Sequence, residues 1–118
     1  PDLPIRVDGL LAEGDVAIAV DRARKVGPAG IKVEVECDSL DQVRASIDAG
    51  ADVIMVDNMR IKDVRDAVKL VDGRAVVEAS GGVTLATVRR IAETGVNWIS
   101  VGALTLSAPA LDIGLDFD

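Results

Sequence analysis

Four apolar runs in this chain end in residues that could do chemistry. "KVEVE" ends on Glu36, "DVIMVDN" on Asp57 and Asn58, "AVVEASGG" on Glu78 and then Ser80, Gly81 and Gly82, and "WISVGA" on Gly102 and Ala103. Carboxylates accept hydrogen bonds from a sugar diol, or hold Mg²⁺ through oxygen. Glycine turns ahead of helix N-termini present N–H groups to a phosphate. The set therefore suits a phosphorylated sugar. Each member also has a plainer reading. Glu34 and Glu36 alternate with Val33 and Val35 as on a half-exposed strand, Asp57-Asn58 would cap a helix, and paired glycines are common in turns.

The elements that must hold these residues repeat. Gly30, Gly50, Gly73 and Gly95 each open a β-branched apolar run, at spacings of 20, 23 and 22 residues. Such short Val/Ile-rich runs read as strands buried on both faces of a parallel sheet. Between them the period becomes helical. "SLDQVRASIDAG" spaces Leu40, Val43 and Ile47 after Asp38 or Ser39 as a cap, and "RIKDVRDAVKLVDG" aligns Ile61, Val64, Val68 and Val71. "TLATVRRIAETG" aligns Leu85, Val88 and Ile91 after a Thr84 cap, with Gly95 closing the helix, and "GDVAIAVDRARKVG" starts a first helix capped by Asp15.

The order predicted is helix then strand, four times over, with right-handed connections. An open doubly wound sheet satisfies that order and so does a (β/α) barrel. Nearly equal units without a dinucleotide fingerprint favour the barrel. The fold class expected is α/β: a single domain over 1–118, a parallel βα repeat forming a partial (half) barrel of about four to six strands. In such a sheet the strand C-termini share one rim, so Glu36, Asp57, Glu78, Ser80 and Gly102 should meet there. Half a barrel leaves two open parallel edges, an association hazard. Self-association, as a homodimer for example, or cover from "PIRV" and "DIGLDF", is expected to close them.

Composition narrows the function. Twenty acidic residues against 13 basic ones give a net charge of −7, with one Trp, one Phe and no Tyr. That excludes a basic or stacking surface for nucleic acid. No apolar run is long enough to span a bilayer, so no membrane partner is expected. The single cysteine, Cys37, rules out an intrachain disulfide and cysteine metal clusters; it reads as a buried small hydrophobe in a reducing, cytoplasmic compartment. Histidine is absent, which removes the commonest general base and imidazole ligand. The chain begins at Pro1, as a processed, truncated or engineered piece would.

"VEVECDSLDQV", "AGADVIMVDNM", "VEASGGVTLATVRRIAETGVNWISVGALT" and "SAPALDIGLDF", in that order, strongly resemble the C-terminal part of quinolinate phosphoribosyltransferase, from about Val16 onward. The resemblance implies a transferase that makes nicotinate mononucleotide from quinolinate and phosphoribosyl pyrophosphate, with Mg²⁺, in NAD biosynthesis. It further implies an unusual (β/α) barrel and a dimer whose N-terminal domains complete neighbouring sites. Carried over, Glu36 and Asp57 become the catalytic carboxylates at the ribose hydroxyls or the metal, with Asp57 a possible, indirect Mg²⁺ ligand. Ser80, Gly81, Gly82, Gly102 and Ala103 become the phosphate cradle.

The departures concern charge. Where the family carries a lysine-aspartate-asparagine-histidine run this chain reads "IRVDGLL", with Arg6 near the lysine position, and Leu106 stands where histidine is frequent. The cationic half that neutralises quinolinate lies upstream in the family. The expectation is a chain that retains the sugar-phosphate side but is inactive by itself. The alternatives are a non-catalytic self-associating scaffold, or an enzyme acting on another phosphorylated sugar or nucleotide.

Overall fold

The computed structural model describes residues 4–9, 15–101 and 106–110. Its strands and helices alternate as far as β5, and a further strand follows: β1 Ile5–Asp8, α1 Val16–Val26, β2 Val33–Cys37, α2 Leu40–Asp48, β3 Val53–Asp57, α3 Ile61–Val71, β4 Val76–Ser80, α4 Val88–Ala92, β5 Trp98–Val101 and β6 Leu106–Pro109. The strands form one sheet in chain order, β1 to β6. The first five are parallel, and β6 runs antiparallel to β5. Sequential order without a reversal point is the barrel arrangement, and excludes the doubly wound alternative.

Strand alternation sends one set of side chains to the helices and the other to the open, concave side. Val33, Val35, Cys37, Ile54, Val56, Val77, Ala79 and Ile99 form the helix-facing set. They pack with Val20, Val43, Val64, Ala67, Val71, Val88 and Ile91 in one buried cluster. Register then fixes the concave set: Arg6 beside Glu34, Asp8 beside Glu36, Glu36 beside Met55, Met55 beside Glu78, and Asp57 beside Ser80.

Three expectations change. The chain does not begin with a helix: "IRVD" forms β1, and "PIRV" covers the β2 edge by parallel pairing. The sheet is not wholly parallel, because β6 takes the opposite edge antiparallel; "DIGLDF" lies outside the described residues. The last helix begins at Val88 rather than after Thr84. Thr84 N–H donates to Thr87 Oγ1 at 3.0 Å and Val88 N–H to the Thr84 carbonyl at 2.8 Å. Local hydroxyl bonds of this kind compete with helix, and they leave Leu85 82% exposed outside it. Elsewhere Ser39, not Asp38, caps α2 by accepting from Gln42 N–H at 3.3 Å, while Asp15 makes no side-chain cap bond.

Candidate functional site

Glu36, next to last in β2, and Asp57, last in β3, line one shallow cavity of about 80 Å³, together with Asp8, Cys37, Asp38 and Gln42. Both carboxylates are half-buried. One strand further on, Asp57 is the register partner of Ser80, and Ser80 leads into the turn at Gly81 and Gly82. The two strand ends are tied together, since Asn58 N–H donates to the Ser80 carbonyl at 2.8 Å. Gly81 (φ +79°) and Gly82 (φ +65°) lie in left-handed space. A Cβ on Gly81 would stand 2.6 Å from Asp57 Oδ1 and 3.0 Å from Asn58 N. Glycine is therefore required there both by backbone conformation and by the approach of β3.

Glu78 lies a row further from the rim, where Ser100 Oγ donates to its Oε2 at 2.7 Å. The structure thus brings Glu36, Asp57, Ser80, Gly81 and Gly82 to one end of the sheet and sets Glu78 behind them. Gly102 and Ala103 lie outside the described residues, as does the side chain of Leu106. The glycine turn does not run straight into a helix as expected, because residues 83–87 intervene before the five-residue α4.

Two residues at this face went unread as site candidates. Asp8 reaches the cavity because β1 ends beside Glu36, a placement that depends on strand pairing rather than local pattern. Glu34, taken as half-exposed by alternation, is only 3% exposed. Arg6 Nε lies 2.7 Å from its Oε2, an ion contact without hydrogen-bond alignment, and Arg6 Nη1 lies 3.6 Å from Glu36 Oε1. Burial pushes the Glu34 carboxyl above its ordinary range; Arg6 pulls the other way, and Glu78 and Glu36 add to the push.

A raised carboxyl pKa in the folded state means that folding favours the protonated acid. Stability should therefore fall as pH rises from the ordinary carboxylate pKa through the raised one. Glu34→Gln is expected to remove that slope. Urea denaturation of both proteins from about pH 4 to about pH 8 reads it as a growing advantage of the variant. Parallel curves for the two proteins would contradict the burial of this charge.

Burial likewise raises the Cys37 thiol to about 11, with its Sγ 3.4 Å from Ser46 Oγ, so it is an inert core thiol at neutral pH. Among the described residues, no three His, Cys, Asp or Glu side chains are arranged to hold a metal ion, and no helix is long and apolar enough to cross a membrane.

Residues 7–116 match the sequence model described as quinolinate phosphoribosyl transferase, C-terminal domain. The chain is 41% identical over 112 residues to a Bacillus subtilis protein named probable nicotinate-nucleotide pyrophosphorylase (carboxylating), across 95% of this chain and 39% of that one. It is 35% identical over 114 residues to the human nicotinate-nucleotide pyrophosphorylase (carboxylating), across 94% and 38% of the two chains. Among solved structures, nicotinate-nucleotide pyrophosphorylase from Ehrlichia chaffeensis superposes with a TM-score of 0.78 at 34% identity, over 88% of this chain and 39% of that one. Thiamine phosphate pyrophosphorylase from Pyrococcus furiosus, at 21% identity and a TM-score of 0.63 over 85% and 57%, shares the fold alone. The chain therefore spans less than two-fifths of the length of the two named sequence relatives.

Proposed function

The chain belongs to the quinolinate phosphoribosyltransferase family, and on that footing we propose that it forms the sugar-phosphate side of a phosphoribosyl-transfer site. The observation that carries this reading is the pairing of Asp57 with Ser80, which sets a rim carboxylate against a glycine turn beside the cavity of Glu36. The reaction proposed for the whole protein joins quinolinate to phosphoribosyl pyrophosphate, giving nicotinate mononucleotide, pyrophosphate and carbon dioxide in NAD biosynthesis.

Within it, Glu36 and Asp57 accept hydrogen bonds from the ribose hydroxyls. They also stabilise the positive charge that develops at the anomeric carbon as the bond to pyrophosphate loosens. Ser80, Gly81 and Gly82, with Gly102 and Ala103, offer the backbone to the 5′-phosphate, where the missing side chains allow close approach. Glu78, held by Ser100, adds negative charge behind the sugar.

The donors at this rim fit Mg²⁺ held indirectly. Asp57, Glu36 and Asp8 present oxygen alone, the donor type that suits an ion which keeps waters and substrate phosphates as its other ligands. Such an ion, when bound, neutralises charge on the leaving pyrophosphate.

The concave face carries Asp8, Glu34, Glu36, Asp57 and Glu78, with Arg6 its only cation among the described strand residues. A quinolinate dianion is repelled there unless cations come from another part of the protein or from a partner. The isolated chain is expected to release no pyrophosphate from the two substrates with Mg²⁺. Turnover that disappears in Asp57→Ala would overturn this.

Self-association has its own support. Val76 and Trp98 leave the concave face 38% and 40% exposed at their positions. A solution mass of twice 12.3 kDa is expected, and a clean monomer would remove the dimer. The compartment proposed is the cytoplasm, where Cys37 stays reduced.

A further inference from the structure

We propose that Asn58 is a positioning residue of this site: its left-handed backbone sets the distance between the Asp57 carboxylate and the Ser80–Gly82 turn. The inference rests on the sugar-phosphate reading above and adds to it a residue that touches no ligand.

Asn58 has φ +55°, one of two non-glycine residues among those described with positive φ; the other, Asp72, ends α3. Left-handed backbone is unfavourable for residues with a Cβ, least so for Asn and Asp. A helix end explains Asp72, but Asn58 follows a strand, between the carboxylate and the next helix. The conformation is held from across the sheet. Asn58 N–H donates to the Ser80 carbonyl at 2.8 Å. The direction in which a Gly81 Cβ would point is filled by Asp57 Oδ1 at 2.6 Å, Asn58 N at 3.0 Å and Asn58 Cα at 3.3 Å, and Asn58 Oδ1 stands 3.4 Å from the corresponding point at Gly82.

One residue thus turns the end of β3 so that its amide meets β4, while the carboxylate just before it packs on the glycine turn. Neither half can shift without the other. Strained backbone persists where its surroundings over-determine it, and such positions cluster at working sites. A ligand that spans a diol and a phosphate senses the separation; one that meets the turn alone does not.

This separates positioning from folding. Ribose 5-phosphate and inorganic phosphate are titrated into the full chain, followed by amide chemical shifts, for the parent, Asn58→Gly and Asn58→Val. Glycine keeps the conformation and the N–H, so its ribose 5-phosphate affinity should stay within about threefold of the parent. Valine is excluded from left-handed space, so its affinity should fall by about tenfold or more, with inorganic phosphate changed less than about twofold. Asn58→Ala, which folds under less strain, should fall between them if the valine protein does not fold.

Equal ribose 5-phosphate binding by the parent and either strained variant would overturn the proposal while leaving the sugar-phosphate reading intact. So would equal losses for both ligands, which would mark general damage, or a glycine variant as weak as valine, which would give the role to the carboxamide. A parent that binds no ribose 5-phosphate overturns both readings together.

Discussion

Gly81→Val is expected to abolish measurable ribose 5-phosphate binding. Two independent obstacles add at this position. The φ of +79° lies where a β-branched residue is a rare outlier, and the new Cβ would stand 2.6 Å from Asp57 Oδ1. The Asp57 carboxylate can rotate aside, but the new Cβ would also stand 3.0 Å from the Asn58 backbone N, and relief of that contact moves the glycine turn away from β3 and disturbs the bond from the Asn58 amide to the Ser80 carbonyl. A loss of at least about tenfold in affinity is expected, with roughly 1–3 kcal/mol of stability lost to the strained backbone. Calorimetric titration beside a urea melt measures both. A valine variant that binds like the parent would show that the turn does not meet the ligand.

The second large effect should appear in stability alone. Ile54, the second residue of β3, is fully buried on the helix-facing side, with Val35 and Val77 as its register partners. Ile54→Ala removes three buried carbons and leaves a cavity in a face that the rim loops cannot refill, at a cost of about 2–5 kcal/mol. The site lies on the opposite face and at the end of the strand, so ribose 5-phosphate affinity per folded molecule should not change. Urea denaturation with a titration under folding conditions separates the two. A loss below about 0.5 kcal/mol, the ordinary range for surface changes, would contradict the packing of this face.

Much of this division between core and rim was legible in the chain. The glycine beat located β2, β3, β4 and β5, and the helical spacing of Val64 and Val71 located α3, because buried parallel strands and amphipathic helices write their period locally. β1 was not legible: "IRVD" is four residues long, and only pairing with β2 makes it a strand. The antiparallel turn-back of β6 depends on β5 in the same way. Leu85 misled because helical spacing was counted through a threonine turn. Glu34 misled for another reason: alternation says which side a residue faces, not whether that side is dry. Asn58 carried no sign of its backbone conformation, since Asp-Asn serves equally well as a helix cap. The candidate rim residues came from strand ends and from resemblance to the family. The grouping of Glu36, Asp57, Ser80, Gly81 and Gly82 at one end of the sheet is a matter of geometry, but their roles are proposed.

The most direct test of the sugar-phosphate site is a map of amide chemical shifts as ribose 5-phosphate is added to the isotope-labelled chain. Saturable shifts are expected at Glu36, Asp57, Asn58, Ser80, Gly81 and Gly82, absent in Gly81→Val, and none at Gly30, Asp52 or Gly73 at the other end of the strands. Saturable shifts gathered at that opposite end, or none anywhere, would contradict the sugar-phosphate site.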